Sequence, residues 1–250
     1  VKIDCLSIFP EMIRDCLQYG VLGKAFERGL VDIDHHDIRA FTTDKHNRVD
    51  DVPYGGGAGM VFKPEPVVRA LRHVTQPPCL VIHPAPAAPR FDQSVALELS
   101  EKLQSGTQLV FIASRYEGLD HRVVSQFVNR EYALGDFIIS GGEMAIAMMI
   151  DAILRFVPDV LGNPESHQTE SFHDHLLEHP HYTRPPVFEG QGVPEVLQQG
   201  HHEHIRKWRK RESIKRTFMY RPDLLALAEL DKEGRTMLAA IREETHGAEE

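Results

Sequence analysis

The sequence predicts an α/β protein in two parts: a parallel-sheet domain over residues 1–160 and a small, mostly helical domain over 182–250, joined by a linker at 161–181. Three observations lead there. Strand-like and helix-like patterns alternate through the first 160 residues, the arrangement that gives a parallel sheet covered by helices. Two short, strongly apolar runs, at 79–83 and 108–113, suit strands buried on both faces. Periodicity then vanishes from Asp159 to about His181, where Pro, Gly, Ser and His dominate, and helical patterns return from Glu195.

Taken in order, residues 2–9 read as a strand stopped by Pro10. That proline also suits the first turn of an amphipathic helix carrying Met12, Ile13 and Leu17 and closed by Gly20. A short helix over 22–28 ends at Gly29, and 30–35 alternates as a second strand. Helical patterns occupy 94–103 and 121–127, and 132–139 reads as a further strand. SGGE at 140–143 then opens a helix over 144–157, with Ser140 and Glu143 at capping-box spacing. Two glycines at such a junction also leave backbone N–H groups at the positive end of a helix, beside the strand ends where α/β sheets bind ligands. The helix is apolar nearly all round, so burial on every side, in the core or a subunit interface, is expected.

Composition narrows the function classes. With 42% hydrophobic and 26% charged residues over 250, the chain is neither disordered, nor fibrous, nor a coiled coil. The longest unbroken apolar run, 144–150, is far short of a membrane span, and the opening residues read as a strand rather than a leader. A cytoplasmic protein with no membrane association is expected. Three scattered cysteines (Cys5, Cys16, Cys79) without a CxxC pair argue for a reducing compartment and against a thiolate zinc site. A net charge of −9 excludes a uniformly basic nucleic-acid binder and leaves room for a local basic patch.

Four constellations stand out. The glycine-rich loop at 54–60 lacks a P-loop ending and the GxGxxG spacing, so a turn needing positive φ is its simpler reading and close approach to a ligand its functional one. Asp151 and Arg155 lie four apart in the apolar helix, as an ion pair that makes burial tolerable or as an acid orienting Arg155 toward an anionic group. The histidines at 173, 175, 179 and 181, and at 201, 202 and 204, match no zinc pattern, and no metal is expected there. Residues 206–216 pack seven basic side chains, one acidic one and the only tryptophan into eleven positions. On a helix, Ile205, Trp208, Glu212 and Lys215 share a stripe. Arg206, Lys207, Arg209, Lys210, Arg211, Lys215 and Arg216 then form a basic surface suited to phosphates, in contrast to the acidic whole.

An ordered series of motifs runs through nearly the whole chain: IFPE at 8–11, VDDVPYGGGAGM at 49–60, RYEGLD at 115–120, LGDFIISGGE at 134–143, VLGN at 160–163, HYTRP at 181–185 and VPEVL at 193–197. In this the chain resembles the bacterial tRNA (guanine-37-N1)-methyltransferases of the SPOUT class. The resemblance implies a parallel-sheet SPOUT domain with a deep trefoil knot, a helical tRNA-binding domain, and a homodimer whose active site is shared between subunits. It implies S-adenosylmethionine bound by Pro86, by Ser114, Tyr116, Glu117 and Gly118, and by the segment of Leu134, Gly135, Asp136, Phe137, Ile138 and Ile139, with Gly141 and Gly142 nearby. It assigns an arginine that stabilises O6 to Arg155 and a general base to Glu170. The partner would be a tRNA with guanine just 3′ of the anticodon. The resemblance also extends to Mg²⁺, for which no ligand set in the sequence stands out.

Three positions depart from the family pattern. Glu170 replaces an aspartate, Ser114 a glycine, and Ala87-Ala88 the Gln-Gly that follows Pro86. A non-catalytic tRNA-binding relative is the competing expectation, one that these departures would mark. An enzyme acting on nucleotide phosphates through the glycine loop is a third; it lacks the lysine and hydroxyl required after the glycines.

Overall fold

The computed structural model describes residues 1–161, 170–172 and 174–246. The chain divides into two units, Val1–Pro164 and Glu165–Glu250.

The first unit opens with β1 (Lys2–Ser7), α1 (Pro10–Leu17), α2 (Gly20–Glu27) and β2 (Asp32–Asp37). The short antiparallel pair β3 (Asp50–Asp51) and β4 (Val61–Phe62) flanks the glycine loop. There follow α3 (Pro64–Val74), β5 (Cys79–Pro84), α4 (Gln93–Gln104), β6 (Gln108–Ile112), α5 (His121–Phe127), β7 (Arg130–Tyr132) and α6 (Gly142–Leu154). Five strands form one parallel sheet in the order β2-β1-β6-β5-β7.

The apolar run that follows Gln108 in β6 has its reason in the two cores. Alternation sends Leu109 and Phe111 into a cluster with Ile13, Leu99 and Ile146, and Val110 and Ile112 into one with Val67, Leu71 and Val123. Helices therefore cover both faces. The helix α3 was not anticipated, although Pro64 at its first turn and Val67, Ala70, Leu71 and Val74 at helical spacing on its buried side carry the signal.

Three expectations are corrected. The first strand ends at Ser7, whose Oγ accepts a hydrogen bond from the Phe9 N–H at 2.8 Å and turns the chain into α1. The last strand is only Arg130–Tyr132, because its neighbour β5 ends at Pro84, the register partner of Tyr132. The residues up to Ile139 leave the sheet as a loop, with Phe137, Ile138 and Ile139 exposed. The capping box does not form: Gly141 is the N-cap of α6, without a side-chain cap, and Glu143 turns inward. Most of α6 is buried within this chain, while Met144, Met148 and Asp151 share an exposed stripe.

In the second unit, β8 (Val187–Phe188) and β9 (Gln191–Gly192) form a tight antiparallel pair around Glu189 and Gly190, both at positive φ. This pair is an addition to the helical reading. Beyond it come α7 (Glu195–Gln198), α8 (His202–Tyr220), α9 (Pro222–Leu225) and α10 (Lys232–His246). The helices α8 and α10 pack together, with Ile214 and Ile241 buried.

Candidate active site

A cavity of about 750 Å³ opens at the carboxyl ends of β5, β6 and β7, where parallel sheets place ligands. Three loops line it. The first supplies Pro84, Ala85, Pro86 and Ala87. The second supplies Ser114, Tyr116, Glu117 and Gly118. The third supplies Leu134, Gly135, Phe137, Ile138, Ile139, Gly141 and Gly142. Of the thirteen residues named for cofactor contact, the structure brings all but Asp136 to this cavity. Asp136 points to solvent, with its carboxylate 3.3 Å from Arg90 Nη2.

Glycines set the shape of the walls. A Cβ on Gly142 would meet Ala113 Cα at 3.1 Å and Ser114 N at 3.2 Å, so the absent side chain helps helix α6 start close against the second loop. The Gly142 N–H donates to the Ser114 carbonyl at 2.8 Å. The second loop turns at Tyr116 and Gly118, both at positive φ, while Ser114 is not, so a serine sits there without strain. The glycine-rich loop has Gly55, Gly56, Gly57 and Gly59 all at positive φ, the turn reading. It also docks on the cavity wall: Glu117 N–H donates to the Met60 carbonyl at 3.0 Å, and its side chain lies where a Cβ on Gly59 would be.

Two polar networks brace the cavity. Glu143, 1% exposed, accepts from Ser7 Oγ at 2.7 Å and from Arg115 Nε at 3.2 Å, while Arg115 stacks over Phe9. On the floor, the buried His83 places Nδ1 2.9 Å from Glu131 Oε1 and Nε2 2.8 Å from Ser114 Oγ. Burial holds the His83 imidazole below its ordinary pKa, against the opposing pull of Glu131. Sequence reading missed both networks. A histidine ending a buried apolar strand was the available signal for the second.

Arg155 caps the C-terminus of α6, half-buried, with its N–H on the Asp151 carbonyl at 3.2 Å. Asp151 is exposed, and among the described residues no ion pair joins the two side chains, so the expected pairing is corrected. Glu170 is half-buried in the second unit. In α8 the basic run divides. Arg206 pairs with Glu203 and Glu233, Lys210 with Asp231 and Glu233, and Arg211 with Glu244, while Lys207 lies 3.6 Å from Glu203. Arg206 pulls the Glu203 carboxyl down to about 2. Among the described residues, Arg209, Lys215 and Arg216 form no ion pair. The broad exposure expected of all seven is thus corrected, because α10 and the turn before it bring acids to one side. The predicted stripe also differs: Ile214 and Thr217 are the buried residues of α8, and Trp208 rests half-buried beside His179 and Tyr182.

The sequence profile of the family described as tRNA (Guanine-1)-methyltransferase TrmD matches residues 1–227. The chain belongs to the TrmD family. Three related proteins, each named tRNA (guanine-N(1)-)-methyltransferase, illustrate the likeness. The one from Dictyoglomus turgidum is 45% identical over 98% of both chains. That from Lacticaseibacillus paracasei is 46% identical over 98% of this chain and 94% of its own. That from Carboxydothermus hydrogenoformans is 46% identical over 95% and 92%. Of the positions the resemblance marked as departures, Ser114 and Ala87 line the cavity, and Glu170 lies in the other unit.

Among the described residues of this TrmD-family chain, Asp4, Asp34 and His36 are the group close enough to share a metal ion. Both oxygens of the buried Asp4 are already engaged, by His36 Nε2 at 2.7 Å and Gln108 Nε2 at 2.5 Å. Of the histidines singled out, His179 and His181 stack at 4.4 Å, and His173 lies outside the described residues. No helix among the described residues is long and apolar enough to cross a membrane.

Proposed function

We propose that this chain transfers a methyl group from S-adenosylmethionine to N1 of guanine 37, next to the anticodon of tRNA. The observation that carries this reading is the convergence of twelve of the thirteen residues named for cofactor contact, drawn from three separate loops, on one cavity in a chain of the TrmD family. The cavity suits the cofactor. Its volume is that of a small-molecule site and its walls are largely apolar. Bound there, the cofactor supplies an electrophilic methyl group.

The protein's part is proton and charge handling. Guanine N1 carries a proton at neutral pH, which must leave as the base attacks. Glu170 is the proposed acceptor, a carboxylate acting as general base. Negative charge then grows on O6, and Arg155 is the proposed group that stabilises it. The basic face of α8 holds the anticodon stem through its phosphates. A homodimer with a shared active site, and a deep trefoil knot around the cavity, belong to the same proposal. In support of the dimer, Met12 and Cys16 of α1 and Met144 and Met148 of α6 line up as an exposed, largely apolar strip, with Cys16 Sγ 3.8 Å from Met144 Sδ. A cytoplasmic location fits a tRNA substrate and belongs to the same proposal.

The test is methyl transfer from labelled S-adenosylmethionine to an unmodified tRNA with guanine 3′ of its anticodon, against the same tRNA with adenine there. Transfer to the first alone is expected. Transfer to neither, with tRNA binding intact, would replace this reading with that of a non-catalytic relative. Chelating Mg²⁺ in the same assay reads whether the ion takes part.

A further inference from the structure

The cavity floor holds a wired trio that the reaction above does not use. His83 is the next-to-last residue of β5, Glu131 sits in β7 as its register partner, and Ser114 follows β6, so three adjacent strands each contribute one side chain near their ends. All three line the cavity. The directions of the hydrogen bonds follow from chemistry. A carboxylate only accepts, so the 2.9 Å contact to Glu131 puts the imidazole proton on Nδ1. A neutral imidazole then offers a lone pair at Nε2, and the hydroxyl of Ser114 donates to it across 2.8 Å. Burial keeps the imidazole neutral at physiological pH. A hydroxyl has one proton, which this bond consumes. What Ser114 has left is lone pairs.

We propose that Ser114, oriented by His83 and Glu131, is a hydrogen-bond acceptor on the cavity floor that selects a donor group, an amine or a hydroxyl, on the nucleoside part of the bound cofactor. A carbonyl or ether oxygen at the same place would face lone pairs and stay unpaired, which buried polar groups tolerate poorly. The nucleoside is the relevant part because Pro84, Leu134, Ile138 and Ala145 give the cavity the apolar walls that suit a flat base and sugar. The same three residue types activate serine nucleophiles elsewhere; methyl transfer from a sulfonium to a ring nitrogen needs none, and here the wiring serves recognition. The proposal rests on the cofactor reading above.

The experiment is calorimetric titration of the wild-type chain, Ser114→Ala and His83→Leu with S-adenosylhomocysteine and three analogues of it. Each analogue lacks one donor: the 6-oxo purine, the 2′-deoxy and the 3′-deoxy compound. One analogue is expected to lose affinity by about tenfold on the wild type, the worth of one good hydrogen bond, and by less than about twofold further on Ser114→Ala. Which analogue does so tells base recognition from sugar recognition. On His83→Leu the freed hydroxyl can donate as well as accept, so a loss on the 6-oxo compound should shrink, because its carbonyl can then be paired, whereas a loss on a deoxy compound, which offers no oxygen, should persist. Independently of binding, nitrogen-15 shifts should place the His83 proton on Nδ1. Equal losses on wild type and Ser114→Ala, or a proton on Nε2, overturn the proposal and leave the cofactor reading standing. A wild-type chain that binds none of the four compounds overturns both.

Discussion

Ser7 Oγ and Glu143 Oε1, 136 residues apart in sequence, share a 2.7 Å hydrogen bond that ties the end of β1 to the first turn of α6. Arg115 of the cavity's second loop joins the same carboxylate at 3.2 Å. The loop that walls the cavity and the helix that leads to Arg155 are thus pinned at one buried acid.

Removing that acid should be felt in stability first. Glu143→Ala leaves Ser7 and Arg115 without their partner, and a loss of roughly 3 kcal/mol is expected, the range for breaking a buried charged hydrogen-bond network. In a chain of this size that lowers the melting temperature by about 6–12 °C. Thermal unfolding by circular dichroism checks it; a shift under about two degrees would show that the pin is dispensable.

Arg155→Ala is expected to cut methyl transfer by on the order of 10²- to 10³-fold, as removal of an oxyanion-type stabiliser does, while leaving cofactor affinity nearly unchanged. Glu170→Ala should lose about 10²- to 10⁴-fold in turnover with the same sparing of affinity. Single-turnover kinetics beside calorimetry separate the two effects. A fully active Arg155→Ala chain removes that residue from the mechanism, and unchanged turnover in Glu170→Ala assigns the proton to another base.

The basic residues of α8 should separate into two classes. Replacing Arg209, Lys215 or Arg216 by Gln is expected to weaken tRNA binding and flatten its salt dependence, by about 0.7–0.9 in log–log slope for each phosphate no longer neutralised. Arg206 and Lys210, already engaged with Glu203, Asp231 and Glu233, should alter that slope less. Filter binding across a salt series reads both classes. Equal slopes for the two would mean that the acidic partners release their basic side chains when tRNA docks.

His83 makes stability depend on pH in a known direction. Its folded-state pKa is lowered, mainly by burial, so the native chain holds fewer protons there than the unfolded one. That contribution is complete above the unfolded value near 6.5 and declines as pH falls through it toward the folded value. His83→Gln should therefore flatten the acid side of the stability curve. Urea unfolding of both proteins at pH 7.5 and 5.5 measures it, and an identical acid loss in the variant would assign the effect to other groups, such as His35, whose pKa burial also lowers.

The parallel sheet was legible because Cys79–Ile82 of β5 and Leu109–Ile112 of β6 are apolar at successive positions, and burial on both faces explains such runs. The cavity loops were legible as motifs at RYEGLD and LGDFIISGGE. The segment after Tyr132 misled, since Phe137, Ile138 and Ile139 look like strand residues; whether they pair depends on where β5 ends, which is a property of the neighbouring strand. Ser140 and Glu143 misled likewise. The spacing of a capping box is local, but Glu143 has stronger partners in Ser7 and Arg115, and the sheet brings them to it.

By itself the sequence determined what depends on order and residue type along the chain. That covers the alternation of elements, the glycines that permit positive φ, the ordered motifs of the family and the basic run of residues 206–216. Only the tertiary structure decided which polar groups find one another. It joined His83 to Ser114 and Glu131 across three strands, moved Glu143 from cap to core, and divided the basic run by setting acids beside part of it. The reason is physical. Hydrophobic periodicity is a one-dimensional signal, whereas a hydrogen bond is worth making only where burial has removed water, and burial exists only once the chain has folded.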